Sequence, residues 1–379
     1  MSSSKPTRPT FAEIDLDALA SNFKSVKEFV GTDVSYMAVV KADAYGHGAI
    51  ECARRLESEG IDWFGVAIPE EGVELREAGI TKPILCLGSF WPGQEDLLVK
   101  NQLTAVIYDE RSAASLNKYG VENDLRVDVH VKIDTGAGRV GVRHDAAAAF
   151  AETLKQHKNV RVTGLLTHFA AAENPNETEF TNLQISRFMN VCDAFRNSGH
   201  SPEIIDLANS PGAIVHPASR GNLVRLGGAL YGLLDDILPP DTVRPELKPV
   251  LSLHSQIVDI KRVPTGESLG YGRTFVTKRD SKIALVPIGY ADGYPRGLSN
   301  CGKVCVNGQL APVVGRISMD WTLLDVTDIP NVIAGSEVFL VGGGPECSVS
   351  AADLAKDLGT IGYEITCGIS SRVPRIFTE

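Results

Sequence analysis

The feature that most constrains the fold of this sequence is a regular alternation of short apolar runs and amphipathic stretches between residues 34 and 228. The apolar runs predict strands, and the amphipathic stretches, several of which end in glycine, predict helices. Eight strands that alternate with helices indicate an α/β fold, a (β/α)8 TIM-like barrel. The predicted strands are 34–42, 63–69, 83–89, 103–109, 126–134, 162–170, 204–210 and 223–228. The clearest predicted helices are 50–59, 69–78, 112–119, 144–157 and 176–198.

The main structural alternative is an open, doubly wound sheet. Such a sheet would carry a GxGxxG pattern directly after its first strand. The turn after the first predicted strand is Ala44-Tyr45-Gly46-His47-Gly48, which lacks that spacing. A turn with serine and glycine follows the seventh predicted strand, at 208–212, and two glycines end the eighth, at 225–228, where barrels commonly bind phosphate. The barrel is therefore the favoured interpretation.

The character of the sequence changes after the barrel. A linker is predicted by the prolines Pro239, Pro240, Pro245 and Pro249. Beyond it, alternating runs broken by Gly, Asn and Asp turns predict a mostly-β domain, with one helix that begins after Ser350 as N-cap. We expect a barrel domain over 12–240 and a β-rich C-terminal domain over 245–379. A strand within residues 1–15 is expected to join the C-terminal domain.

Composition and charge exclude several classes of function. The chain is 43% hydrophobic and 22% charged, which is typical of a soluble globular protein, and its net charge of -10 argues against nucleic acid or an anionic membrane surface as a partner. It has no apolar run of about 18 residues, and residues 1–10 lack the apolar segment of a secretory signal. No metal is expected, because the cysteines lack the paired spacing of a metal site. We expect reduced thiols in a cytoplasmic protein for all seven: Cys52, Cys86, Cys192, Cys301, Cys305, Cys347 and Cys367.

Lys41 is the first candidate for chemistry, because it ends the apolar run 37–40 in the first predicted strand. Burial of an ammonium group is costly, and burial lowers the pKa of a lysine and makes its amine a better nucleophile or base. Taken alone, a lysine in this position more often extends its ammonium group to water.

Other polar residues are expected beside Lys41, because barrels carry their chemistry at the C-terminal ends of the strands. These residues are Lys132 to Arg139, His168, Asn209, Ser210 and Arg225. A lysine amine and a phosphate site in one pocket indicate pyridoxal phosphate, whose aldehyde bonds to such an amine. Arg225 stands where most such sites place an acid, and it would leave the pyridine nitrogen unprotonated. Taken alone, His168 is more often a core histidine.

These residues lie in motifs that resemble those of the alanine racemase family. The resemblance extends from Phe11 to about Arg375 and preserves the order of seven motifs. They are VVKADAYGHG at 39–48, KIDTGAGR at 132–139, THFA at 167–170, ANS at 208–210, PIGYADG at 287–293, GRISMD at 315–320 and GTIGYE at 359–364. The resemblance implies a homodimeric pyridoxal-phosphate enzyme with a barrel and a C-terminal β-domain.

The resemblance also implies a role for each residue. Lys41 would hold the cofactor and act as one base, and Tyr271 of the partner subunit would be the other base. Arg225 would bond to the pyridine nitrogen, with His168 bonded to Arg225. Arg139 would contact the cofactor phenolate and the substrate carboxylate. Met319 would bind the substrate, Tyr290 would line the entrance, and Lys132 matches a position that is often carbamylated. The other residues would bind the cofactor, chiefly its phosphate: Tyr45, Asn209, Ser210, Gly227, Gly228 and Tyr363. Taken alone, Tyr271, Tyr290, Met319 and Tyr363 also fit ordinary packing positions.

The implied function is interconversion of L- and D-alanine, which supplies D-alanine for peptidoglycan. Three departures from the family pattern are Ser318 for a cysteine, Gly362 for an asparagine, and Leu226-Gly227-Gly228 for proline-glycine-isoleucine. The change at Gly362 leaves open a serine racemase or one of broader specificity. An amino-acid decarboxylase of similar architecture is disfavoured by Arg225, and a single-barrel cofactor carrier is disfavoured by the second domain and by Tyr271.

Overall fold

The computed structural model describes residues 7–379, and its first domain is a closed barrel of eight parallel strands. Each barrel strand pairs with its neighbours in the sequence, and the eighth strand pairs with the first. The predicted (β/α)8 fold is therefore confirmed. In chain order, the first to eighth barrel strands are Ser35–Val39, Trp63–Val66, Ile84–Cys86, Leu103–Ile107, Val127–Asp134, Val160–Leu166, Ile204–Asp206 and Leu223–Leu226, and a short extra strand, Val142–Arg143, pairs with the fifth.

Helices connect the barrel strands. All five helices that periodicity predicted are present, and their ends differ from the prediction by up to three residues. Glu95–Lys100 and Ser210–Val215 were not predicted, because helices of six residues are too short for the apolar period to register. The helices of this domain are Leu16–Val30, Ala49–Ser58, Pro69–Glu77, Glu95–Lys100, Glu110–Glu122, Ala147–Leu154, Thr178–Asn197 and Ser210–Val215, with 3-10 turns at Pro175–Glu177 and Pro217–Ser219.

The barrel interior is filled by apolar side chains below the C-terminal ends of the strands. Met37, Leu85, Val106, Leu166 and Leu223 form one buried cluster inside it. A glycine in the sixth strand leaves room for a histidine ring of the fifth, since a Cβ on Gly164 would lie 2.7 Å from the ring of His130. The barrel is therefore a packed core that can hold side chains rigidly at its upper edge.

The C-terminal domain is built on a seven-stranded sheet. The first strand of the chain, Phe11–Asp15, lies inside this sheet, antiparallel to Leu251–Gln256 and parallel to Arg375–Thr378. Residues 1–6 of the predicted joining segment lie outside the described residues. The strand order is Gln309–Pro312, Lys303–Val306, Glu337–Gly344, Leu251–Gln256, Phe11–Asp15 and Arg375–Thr378, with Cys347–Val349 paired to Glu337–Gly344.

Smaller elements complete the second domain. The predicted helix is present at Ala351–Leu358, where Ser350 accepts a hydrogen bond from the Asp353 amide as its N-cap. A second helix, Gly362–Gly368, was not predicted. The remaining strands are Asp259–Val263, Ser281–Val286 and Thr322–Asp325 in one sheet and Ser268–Leu269 and Phe275–Val276 in another, with 3-10 turns at Tyr271–Arg273, Tyr290–Asp292 and Arg296–Leu298.

The expectation of seven reduced cysteines is wrong. Cys305 and Cys347 form a disulfide, with their Cα atoms 6.0 Å apart, while the other five are free. The two strands that carry them both pair with Glu337–Gly344, which brings together residues 42 positions apart. Spacing along the sequence could not show this, because the pairing depends on the sheet order.

Candidate active site

A cavity of about 640 Å³ opens at the C-terminal ends of the barrel strands. The sequence-predicted residues that line it are Lys41, Tyr45, Lys132, Arg139, His168, Asn209, Ser210, Arg225, Gly227, Gly228 and Tyr363. Glu173, Asp236 and Ile361 also line it and were not predicted. They follow strands or begin a helix at this edge of the barrel, but their residue types alone did not indicate a binding or catalytic role.

Lys41 begins a left-handed turn. Four consecutive residues, Ala42 to Tyr45, have φ between 52° and 56°, a conformation that costs roughly 1–2 kcal/mol for each residue with a Cβ. The turn is held by hydrogen bonds from the Ala44 amide to the Val40 carbonyl, at 2.9 Å, and from the Ala49 amide to the Asp43 carboxylate, at 2.7 Å. The sequence predicted a glycine-rich turn here, and its left-handed form brings both Lys41 and Tyr45 to the cavity.

The electrostatic surroundings of Lys41 favour the neutral amine. Burial lowers the pKa of Lys41, and the Arg139 guanidinium lowers it further, while the Glu71 carboxylate opposes both effects. A neutral lysine can act as a nucleophile or as a general base.

Serine, two glycines and two tyrosines form a cradle at the end of the eighth strand. The Gly227 and Ala229 amides donate to Ser210 Oγ at 2.9 and 3.4 Å, so they can serve an acceptor oxygen at this point. A Cβ on Gly227 would lie 2.6 Å from the Tyr45 hydroxyl, and one on Gly228 would collide with the Tyr363 hydroxyl. The cradle therefore combines backbone and hydroxyl donors in the space that glycine leaves open, which suits a phosphate group.

Arg225 is held beside the cavity by a buried ion pair. Its side chain is 4% exposed and pairs through Nη1 with Asp206, which is fully buried. Arg225 Nη2 donates to the Thr167 carbonyl at 2.9 Å and to His168 Nδ1 at 3.4 Å. Sequence reasoning missed Asp206, although a carboxylate within an apolar strand is costly to bury and could have signalled a partner.

Two further titratable residues beside Arg225 are driven to their neutral forms. Burial lowers the pKa of His168 to about 2, and the nearby Arg225 charge adds to the shift. Burial and Arg225 also lower the pKa of Lys132 well below its usual value, although Asp206 opposes the shift. Lys132 Nζ donates to the Thr167 carbonyl at 3.0 Å, the same oxygen that Arg225 uses. The guanidinium groups of Arg139 and Arg225 are therefore the permanent positive charges in the cavity lining.

Comparison with known proteins identifies the family. The family model of the alanine racemase N-terminal domain matches residues 14–235, and that of the C-terminal domain matches residues 250–377. The chain belongs to the alanine racemase family. The resemblance found in its motifs, and the isomerase class that it implies, are confirmed.

Individual alanine racemases resemble the chain along nearly its whole length. The alanine racemase of Halothermothrix orenii is 46% identical over 97% of each chain. That of Geobacter sulfurreducens is 42% identical over 98% of this chain and 97% of its own. The solved alanine racemase of Clostridium difficile 630 has a TM-score of 0.92 at 39% identity, over 99% of this chain and 97% of its own.

Three residues predicted from the alanine racemase pattern lie away from the cavity. Tyr271, Met319 and Tyr290 are on the C-terminal domain, and none of them lines the cavity of its own chain. Their side chains are largely exposed, at 72%, 53% and 42% respectively. Tyr290 and Met319 are close neighbours, because the Tyr290 and Ala291 amides bond to the Ser318 and Met319 carbonyls.

The departures from the alanine racemase pattern are local. A Cβ on Gly362 would face Asp236, at 3.3 Å, and Ala351, at 3.6 Å, and Gly362 does not line the cavity. Ser318 Oγ donates to the Trp321 carbonyl within a tight turn. Gly362 is flanked by Ile361 and Tyr363, which both line the cavity, as does Asp236.

Proposed function

We propose that the protein is an alanine racemase that uses pyridoxal 5'-phosphate to interconvert L- and D-alanine and supplies D-alanine for peptidoglycan. The observation that carries the proposal is the meeting of Lys41, the Ser210–Gly227 cradle and Arg225 in one cavity. Each of these groups fits one part of the cofactor, namely its aldehyde, its phosphate and its ring nitrogen.

The residues around the cavity fit the cofactor closely. Lys41 would hold it covalently, and the hydroxyls of Tyr45, Ser210 and Tyr363 with the Gly227 amide would bind its phosphate. The bound cofactor supplies electron withdrawal that makes the α-proton of an amino acid removable. Arg225, a donor whose charge Asp206 balances, would hold the ring nitrogen without protonating it.

Racemisation requires proton removal on one face of the α-carbon and proton return on the other. We assign the first face to Lys41 and the second to Tyr271 of a partner subunit. The position of Tyr271 supports this, since it is 72% exposed and lies outside its own chain's cavity. The active unit would then be a homodimer in which each site uses both chains.

The relatives that are alanine racemases support alanine as the substrate. Arg139 would bind the substrate carboxylate together with the backbone amide of the partner's Met319, and the partner's Tyr290 would line the entrance. Serine or broader specificity is the alternative, since Gly362 leaves space beside Asp236, a residue of the cavity lining. Lys132 is the position that the resemblance marks for possible carbamylation, and its lowered pKa favours the neutral amine, the form that reacts with carbon dioxide.

The remaining expectations concern domains and location. We propose domain bounds of 12–240 and 245–379, except that the pairing of Phe11–Asp15 assigns this strand to the second domain, so that the barrel domain begins at Leu16. Among residues 7–379, no helix has both the length and the apolar composition needed to span a bilayer. A cytoplasmic location agrees with five free cysteines, whereas the Cys305–Cys347 bond counts against it. Mass spectrometry of thiols alkylated during cell lysis would decide the state of that pair.

The direct test is chiral chromatography of L-alanine incubated with the purified protein and pyridoxal phosphate. D-alanine should form, and L-serine and other amino acids should react with lower kcat/KM. The Lys41→Ala variant serves as the control and should lose both turnover and the absorbance of the lysine-bound cofactor. A wild-type protein with that absorbance but without turnover of alanine would contradict the proposal.

A further inference from the structure

Glu71 connects the Lys41 turn to the neighbouring barrel unit. It lies in the first turn of the helix Pro69–Glu77, which follows the second strand. Its Oε1 accepts a hydrogen bond from the Ala42 amide at 2.7 Å, and its Oε2 accepts one from the Ala67 amide at 2.7 Å. One half-buried carboxylate therefore ties together the two peptides that follow adjacent barrel strands.

We propose that Glu71 is a positioning residue for Lys41. The Ala42 amide belongs to the first peptide after Lys41 and is the point where the chain enters the left-handed turn. That turn consists of residues with a Cβ, each of which prefers another conformation by roughly 1–2 kcal/mol, so it persists only where outside contacts hold it. Glu71 supplies such a contact at Ala42, the residue next to the lysine. This contact fixes the backbone at Lys41 and so orients its amine.

The charge of Glu71 adds a second effect. The charged or titratable groups near Lys41 include Arg139, Arg225, Lys132, His168, Cys367 and Glu71. Burial and the two arginines favour the neutral amine, whereas the Glu71 carboxylate acts in the opposite sense and raises the pKa of Lys41. Loss of the Glu71 charge should therefore lower the pH at which Lys41 becomes neutral.

The neighbouring Glu70 provides a matched control. It is a carboxylate in the same first turn of the same helix, but it is exposed and accepts a hydrogen bond from Gln94 Nε2 at 2.6 Å. The Glu70→Ala and Glu71→Ala variants make the same chemical change one residue apart. Only the second removes a contact with the Lys41 turn.

The inference rests on the proposed role of Lys41, and the experiment compares holoenzymes of wild type, Glu71→Ala, Glu71→Gln and Glu70→Ala. A displacement of about 1 Å at a reacting group can cost about 10²-fold in rate. We expect Glu71→Ala to lower kcat by about 10²-fold with KM for alanine within about twofold, since Glu71 does not line the cavity. Glu70→Ala should match wild type.

Glu71→Gln keeps an acceptor for one of the two amides and removes the charge. We expect a smaller loss of kcat than in Glu71→Ala. The acid limb of kcat and the pH titration of the lysine-bound cofactor absorbance should both move to lower pH by roughly 0.2–0.7 pH unit, the size of a partly exposed charge interaction. This spectroscopic titration needs no turnover, so it also serves if Glu71→Ala does not fold.

The outcomes separate the two proposals. An inactive wild-type holoenzyme would count against the proposed function and not against Glu71. With an active wild type, a folded Glu71→Ala variant with kcat within about twofold of wild type would overturn the positioning role. An unchanged titration in Glu71→Gln would overturn the charge effect.

Discussion

The ion pair of Arg225 and Asp206 gives the sharpest stability prediction. Both side chains are almost completely removed from water, at 4% and 0% exposure. Removal of one member of a buried pair typically costs about 3–5 kcal/mol, because the other charge is left without its partner. In Asp206→Ala, Arg225 still donates to the Thr167 and Leu207 carbonyls. We therefore expect the free energy of unfolding to fall by about 3 kcal/mol, the lower end of this range.

The assay is thermal unfolding of the cofactor-free protein by circular dichroism, since bound cofactor would add its own stabilisation. For a domain of this size, about 3 kcal/mol corresponds to a Tm lower by about 6–12 °C. Asp206→Asn keeps an acceptor and should lose less than Asp206→Ala. Replacement of both partners, as in Asp206→Ala with Arg225→Met, should recover most of the Tm, because no buried charge then lacks a partner. A Tm of Asp206→Ala within about 2 °C of wild type would refute this reasoning.

Three further predictions concern the reaction. Tyr271→Phe should lower the rate of racemisation by about 10²–10⁴-fold with the cofactor absorbance intact, and full activity in both directions would contradict the two-base assignment. Gly227→Ala should raise the Kd of pyridoxal phosphate by about 10–100-fold, because the new Cβ would meet the Tyr45 hydroxyl at 2.6 Å; an unchanged Kd in a fluorescence titration would exclude the cradle. Lys41 must be neutral to act as a base, so kcat should fall as pH drops through the lowered pKa of Lys41. The midpoint of that fall should lie below the usual lysine value of 10.5, and a midpoint at or above it would show that burial does not act as described.

The barrel could be predicted from the sequence because its strands and helices are local patterns. The run before Lys41 and the turns around Ser210 and Gly227 also follow the strand ends, so their meeting at one edge follows from the fold itself. The resemblance to a family supplied the roles of Tyr271, Met319 and Tyr290, which no local pattern could assign.

The contacts that the sequence did not predict all join residues distant along the chain. Asp206 meets Arg225 across two strands, Glu71 reaches the Ala42 amide across two loops, and Cys305 meets Cys347 across a third strand. The left-handed form of the turn after Lys41 was also missed, because Ala42 and Ala44 disfavour it and Asp43 adopts it only occasionally, as a single residue. Such features depend on the assembled structure and leave little trace in local periodicity.

The position of Phe11–Asp15 has a consequence for biosynthesis. This strand leaves the ribosome before the barrel, yet its partners include His254 and Phe377, which are made more than two hundred residues later. While the barrel folds, the strand has unpaired backbone edges on both sides and is open to wrong partners. The sheet of the second domain is therefore complete only after the last of these strands has been synthesised. A stalled or truncated chain would expose an unpaired strand edge that chaperones or proteases can recognise.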